Sequence, residues 1–281
     1  MSKQPAIGKS VKTGKFTTNY LEVGEEHGGI PLLFIHGSGP GVSAYANWRL
    51  ILPRVEGASR ILAPDMIGFG YSDKPVGGEE TGVTYGRELW TKQIIDFMDA
   101  LDLEKVNLVG NSFGGALAMS VALEHPERVN KLILMGSVGV EAELPEALDK
   151  VWGYQPSFEN MAELVRLFTY DTDFADDDLI ESRYQASLEP GFQEAFETMF
   201  PAPRQNGLDD LSFSDDALRT IKHPTLIVHG REDRIIPPEY SYRLIDLLEN
   251  AELHIFGKTG HWTQIERSDE FSNLVKNFIA E

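Results

Sequence analysis

Cysteine is absent from all 281 residues, so a disulfide framework, a thiolate metal site and a cysteine nucleophile are excluded together. Positive charge is scarce: 25 Lys and Arg stand against 44 Asp and Glu, a formal net charge of −19. Nucleic acids and anionic membrane surfaces both require a basic footprint, so neither is expected as a partner. An anionic small molecule would need a local Arg or Lys working against that overall field. No apolar run approaches the length that crosses a bilayer. The opening Met1 to Ser10 is polar and lysine-containing, without the apolar stretch of a secretory leader. A cytoplasmic location is the expectation. What remains is ordinary for a globular chain, with 42% hydrophobic residues to supply a core. At this length the chain suits one large α/β domain, with or without a substantial insertion.

Periodicity divides the chain. Gly14 to Glu22 alternates loosely, like an edge strand, and Pro31 to Ile35 is a continuous apolar run that predicts a strand buried on both faces. A Gly- and Pro-rich loop, His36 to Gly41, follows, and then a short helix over Asn47 to Leu52. Arg60 to Asp65 and Val106 to Val109 are further short apolar runs, separated by helical spacing from Thr84 to Leu101. Lys131 to Gly136 is another strand. Such alternation predicts a mostly parallel central sheet flanked by helices. From Glu141 to about Asn206 only helical patterns occur, and the strand rhythm returns at Pro224 to Gly230 and Ala251 to Phe256 before a closing helix over Ser268 to Ala280. The expected organisation is one core made of residues 1–140 and 207–281, with residues 141–206 inserted as an all-helical cap.

The chemistry concentrates at Gly110-Asn111-Ser112-Phe113-Gly114-Gly115. A strand, a sharp glycine-flanked turn with Ser at its apex and a helix make the nucleophile elbow of G-x-S-x-G enzymes. The bland alternative is a Gly-rich turn whose Ser only caps the helix. A serine hydroxyl needs a base, and the base needs a group to hold its tautomer. In the order nucleophile, acid, base, His261 is the one histidine of seven that lies in the loop of the final strand–loop–helix unit. His229 ends a buried strand and is expected to be structural. Asp233, in the loop after the strand Leu226 to Val228, is the expected acid, with Glu232 beside it as the decoy. An oxyanion would be met by the backbone N–H groups of Phe113 and Ser38.

The chain resembles the meta-cleavage-product hydrolases, carbon–carbon bond hydrolases of the α/β-hydrolase superfamily that act in bacterial degradation of aromatic compounds. The resemblance runs through His36-Gly37-Ser38-Gly39-Pro40-Gly41, Ala46-Asn47-Trp48-Arg49, Ala63 to Gly70, the elbow and Leu134 to Val140. It continues through Val151-Trp152-Gly153-Tyr154, Arg183 to Ser187, Met199 to Gln205, His229 to Asp233 and Gly260-His261-Trp262-Thr263-Gln264-Ile265-Glu266. The matches in the cap weigh most, because generic esterases share the triad but not the cap. Within the family the similarity is greatest to the branch that handles ring-fission products of monocyclic aromatics.

The resemblance implies an α/β-hydrolase fold and hydrolysis of the C5–C6 bond of a 2-hydroxy-6-oxo-hexa-2,4-dienoate, giving 2-hydroxypenta-2,4-dienoate and a small carboxylic acid. It implies Arg183 as the binder of the substrate carboxylate, with Gly39, Asn47 and Asn111 around the dienol and Trp262 lining the pocket. Taken alone, Arg183 could equally be a solvated charge or a partner of Glu181. No metal or organic cofactor is called for, and a homo-oligomer, a dimer first, is the assembly implied. The residues leave open the size of the C6 substituent, and whether Ser112 or an activated water attacks. A generic carboxylesterase with the same triad is the alternative; a haloalkane dehalogenase is disfavoured because its elbow carries Asp.

Overall fold

The short apolar runs become strands because each is too short for a helix and rich in branched side chains that pack on a pleated surface. The computed structural model describes residues 8–57 and 59–281. Most of the polar opening stretch, Met1 to Ser10, lies outside them. Eight strands form one sheet: β1 (Lys9–Thr13), β2 (Phe16–Val23), β3 (Leu32–Ile35), β4 (Ile61–Pro64), β5 (Val106–Asn111), β6 (Val129–Met135), β7 (Thr225–Gly230) and β8 (Ala251–Phe256). Their order across the sheet is β1-β2-β4-β3-β5-β6-β7-β8. The pairings β1–β2 and β2–β4 are antiparallel and all the others are parallel. The expected edge strand is therefore one place in from the edge. Lys9–Thr13 takes the edge through a hairpin, its charged, exposed pattern having given no strand signal.

Period-two alternation sends the strand side chains into two cores. Leu33, Ile35, Leu62, Val106, Leu108, Leu132, Leu134 and Ile227 face one side. Leu32, Phe34, Ile61, Ala63, Val109, Ile133, Met135, Leu226 and Val228 face the other. That second layer is closed by α1 (Ala44–Trp48), α2 (Leu52–Val55) and α13 (Ser268–Ala280), through Trp48, Leu52, Phe271 and Val275. The first is closed by α3 (Arg87–Ala100), α4 (Phe113–Glu124) and α11 (Glu239–Leu247), through residues such as Trp90, Ile94, Leu117 and Leu244. Helix α1 starts three residues earlier than the spacing predicts, because Ser43 caps it with a side-chain bond from Ala46 N at 3.1 Å.

Between β6 and β7 the described chain is helical: α5 (Glu146–Trp152), α6 (Phe158–Phe168), α7 (Asp177–Ser187), α8 (Phe192–Met199), α9 (Gln205–Asp210) and α10 (Asp215–Leu218). Val140 and Phe213 pair as an isolated parallel bridge, with Phe213 N donating to Gly139 O at 2.9 Å, so the stretch between them begins and ends side by side. The last short helix, α12 (Thr263–Glu266), follows the loop that holds His261. Among the described residues no helix is long and apolar enough to cross a membrane.

Candidate active site

Strand β5 stops because the chain must reverse at Ser112, whose φ of 54° and ψ of −115° lie where a residue with a Cβ pays a steric cost. Its neighbours are glycine for want of room. A Cβ on Gly110 would lie 2.3 Å from Gly114 O, and one on Gly114 would lie 2.4 Å from Ile35 O. Ser112 N donates to Met135 O at 2.8 Å, which ties the turn to β6. The serine side chain does not cap α4, so the bland capping role fails. Helix α4 starts immediately after it, and its amino end favours negative charge there.

His261, 3% exposed, donates from Nδ1 to Asp233 Oδ2 at 2.6 Å. A carboxylate only accepts, so the proton sits on Nδ1 and Nε2 is left as the basic nitrogen. The other Asp233 oxygen accepts from Ile235 N at 2.8 Å and Ile236 N at 2.9 Å. Burial works to raise the Asp233 carboxyl, but the two imidazoles of His261 and His229 outweigh it and hold the group below the usual carboxylate range. Glu232, the decoy, turns to Thr259 N at 3.0 Å and to Arg231 Nε at 2.9 Å. His36 is fully buried and pushed down to about 4 by desolvation; its Nε2 accepts from Met66 N at 2.9 Å, a loop-bracing role.

Ser112 and His261 line one cavity with Ser38, Gly39, Asn47, Asn111, Arg183 and Trp262, while Asp233 lies buried behind His261. The loop after β3 lies over the elbow: a Cβ on Gly37 would be 3.6 Å from Ser112 Cβ. Neither Ser38 N–H nor Phe113 N–H has a protein acceptor among the described residues. The ring of Phe113 packs into the core against Trp90, with centroids 4.7 Å apart. Asn47 Oδ1 accepts from Gly37 N at 3.1 Å and from Asn111 Nδ2 at 3.0 Å, leaving Asn47 Nδ2 and Asn111 Oδ1 buried without a partner. One donor and one acceptor are thus offered to the cavity.

Arg183 is 8% exposed and donates to Pro40 O at 2.7 Å. It makes no ion pair with Glu181, whose carboxylate accepts from Gln185 instead. Desolvation and then the nearby Arg49 push its guanidinium down to about 10, so at neutral pH it is a buried cation. Two arginines without an acid between them form a local positive field inside a protein of net charge −19.

Several cavity residues were not singled out from the sequence. Arg49 lies in the Ala46-Asn47-Trp48-Arg49 stretch, and at two residues from Asn47 no helical spacing turns it toward the same cavity, so the sequence carries no signal for it. Gln264, buried with Oε1 unpartnered, gave none. Leu148, Val151, Met161, Val165 and Ile235 form an apolar wall; the first four are readable only as helix-face residues, and Ile235 stands in the loop after β7. Phe168, at the end of α6, stacks on Trp262 with centroids 4.7 Å apart and planes 3° from parallel. Trp262 N donates to Phe168 O at 3.1 Å, and Glu266 accepts from Gly260 N, Tyr170 N and Asp171 N, so the His261 loop and the end of α6 are latched together. Among the described residues no group of three or more His, Cys, Asp or Glu side chains is placed to hold a metal ion.

With this geometry in view, comparison with known proteins is specific. A family model of the alpha/beta hydrolase fold matches residues 30–268. The chain is 48% identical to a 2-hydroxymuconate semialdehyde hydrolase of Pseudomonas sp. strain CF600, over 99% of this chain and 95% of the relative. It is 50% identical to a 2-hydroxy-6-oxo-2,4-heptadienoate hydrolase of Pseudomonas putida, over 98% of this chain and 96% of the relative. Among solved structures, a serine-to-alanine mutant of the meta-cleavage product hydrolase of Pseudomonas fluorescens, complexed with acetates, superposes with a TM-score of 0.93 at 49% identity, covering 98% of both chains.

Proposed function

The chain is a member of the α/β-hydrolase family and, within it, of the meta-cleavage-product hydrolases; from that premise we propose that it hydrolyses the C5–C6 bond of a 2-hydroxy-6-oxo-hexa-2,4-dienoate in aromatic catabolism. One observation carries the reading beyond a generic esterase. The cavity that holds Ser112 and His261 also holds Arg183, a buried cation with no acid partner among the described residues. An ester needs no such group, whereas a dienoate carries its carboxylate at the end remote from the bond that breaks. The apolar wall of Leu148, Val151, Met161, Val165 and Ile235 supports a hydrogen or small alkyl group at C6.

In the proposed mechanism the carboxylate pairs with Arg183, while Asn47 and Asn111 meet the 2-hydroxyl and Gly39 leaves room beside them. Transfer of the enol proton to C5 gives the 2,6-dioxo tautomer. His261 Nε2 takes the Ser112 proton as Oγ attacks C6, and Asp233 holds the resulting imidazolium. The oxyanion is met by Ser38 and Phe113 N–H. Collapse breaks C5–C6, and its electron pair flows through C3=C4 into the 2-oxo group, which leaves as 2-hydroxypenta-2,4-dienoate once protonated. Water, deprotonated by His261, then releases the acyl group from Ser112 as a carboxylic acid. Residues 141–206 act as the lid that excludes bulk water and supplies Arg183, and Trp262 closes the wall beside the base.

The test offers the protein a 2-hydroxy-6-oxo-dienoate and a p-nitrophenyl ester side by side. Rapid, repeated loss of the dienoate's visible absorbance supports the proposal; ester turnover without it refutes it. A cytoplasmic homodimer, the assembly that the family resemblance implies, completes the proposal. Sedimentation at micromolar concentration distinguishes it from a monomer.

A further inference from the structure

Asp233 Oδ2 faces two imidazoles. His261 Nδ1 lies 2.6 Å away on one side, and His229 Nε2 lies 3.1 Å away on the other. His229 is wholly buried at the carboxyl end of β7. Its Nε2 also lies 2.9 Å from Ile236 O, and its Nδ1 lies 2.6 Å from Ser241 Oγ. Carbonyl and carboxylate oxygens only accept, so Nε2 carries a proton. The Ser241 hydroxyl has no other acceptor among the described residues, so it donates to Nδ1 and fixes the tautomer. The Nε2–H points at Ile236 O with Asp233 Oδ2 beside that bond, so the carboxylate feels the positive end of a dipole rather than a linear hydrogen bond.

We infer that His229 is a positioning residue of the Ser112–His261–Asp233 triad: its Nε2–H, locked by Ser241, fixes Asp233 and tempers the charge that His261 experiences. The inference rests on the triad reading given above. Ser241, His229, Asp233 and His261 then form one run of contacts from helix α11 to the cavity that Ser112 lines. Neighbouring ionisable groups are turned elsewhere: Glu232 to Thr259 N, Glu266 to Gly260 N, and the Tyr240 hydroxyl to Glu143 O. A buried histidine serving packing alone would need neither a fixed tautomer nor a face on the acid.

The sign of its effect follows from charge. An N–H dipole at Oδ2 offsets part of the carboxylate's charge, so its removal leaves more charge to stabilise the His261 imidazolium. His261 then keeps its proton to higher pH, and the basic form that activates Ser112 appears later. The experiment is the second-order rate at which a fluorophosphonate labels Ser112 across about pH 5–9, in the unaltered protein, His229→Phe, His229→Gln and Ser241→Ala. His229→Phe is expected to move the acid limb up by about half to one unit. His229→Gln, whose amide N–H reaches where Nε2 stood, brings the limb back. Ser241→Ala moves it the same way by less, and gives the answer if the Phe variant fails to fold.

An acid limb unmoved in the folded variants overturns the inference, because a merely structural histidine lowers melting temperature and the labelled fraction without shifting the limb. Labelling that is absent in the unaltered protein, or that persists after Ser112→Ala, overturns the triad reading instead and takes this inference with it.

Discussion

Replacing Arg183 by alanine separates substrate binding from chemistry. The guanidinium is buried and has one protein acceptor among the described residues, Pro40 O at 2.7 Å. Truncating one partner of a buried, hydrogen-bonded charge pair costs about 2–5 kcal/mol. Arg49 remains in the same cavity to share the anion, so the lower half applies. At about 1.4 kcal/mol per decade, a loss of about 3 kcal/mol is on the order of a hundredfold in KM. In the proposed mechanism the guanidinium pairs with the end of the substrate that does not react, so kcat should fall less than about tenfold. The fold should not suffer: the lost bond to Pro40 O is worth about 1 kcal/mol, and a buried cation without an acid carries a desolvation cost that its removal relieves. Steady-state loss of the dienoate's absorbance gives both constants, a p-nitrophenyl ester lacking a carboxylate serves as control, and a thermal melt reports the fold. Unchanged KM and kcat, or a collapsed melt with normal kinetics in the folded fraction, would refute the placement of the anion.

Three further outcomes are expected. Ser112→Ala should lower kcat by at least about 10⁴-fold while leaving dienoate binding intact, read from the perturbed absorbance of the bound ligand. Gly136→Ala should slow turnover about 10- to 100-fold and cost about 1–2 kcal/mol in denaturant melts. It forces a Cβ onto a φ of 52°, at 3.2 Å from His261 Nδ1 and 3.4 Å from Asp233 Oδ2. Asp233 has a folded-state pKa below its unfolded value of about 3.9. Its stabilisation is therefore present above that value and fades as pH falls through the lower folded one; Asp233→Asn should be less stable at neutral pH and should lose less stability on acidification, measured by melts from about pH 7 down to about pH 2.

The elbow was legible because a buried strand, two obligatory glycines and an apolar helix leave a local imprint around Ser112. The parallel strands were legible for the same reason: Leu32 to Ile35 is buried on both faces and so is apolar throughout. Strand β1 was not legible, because an exposed edge strand such as Lys-Ser-Val-Lys-Thr needs no apolar pattern. Asp233 and His261 could be ordered along the chain, but their 2.6 Å bond arises only when the loops after β7 and β8 meet. Arg49, Gln264 and Phe168 escaped because membership of a cavity is a property of tertiary packing. His229 was expected to be structural, and burial agrees; its contact with Asp233 depends on the turn through Ile236 and has no sequence signature.

The pairing of Val140 with Phe213 has a consequence for how such a protein can change. The stretch between them begins and ends at one spot, so the distance between these two residues is set by their pairing and not by what is strung between them. Ser112, His261 and Asp233, the proposed nucleophile, base and acid, all stand outside that span, whereas Arg183 and most of the apolar wall stand within it. Exchanging the stretch for a counterpart of different length, cut at Val140 and Phe213, breaks no strand of the sheet. On the proposed assignment of roles, selectivity is then transplantable as a single cassette while the reaction stays where it is.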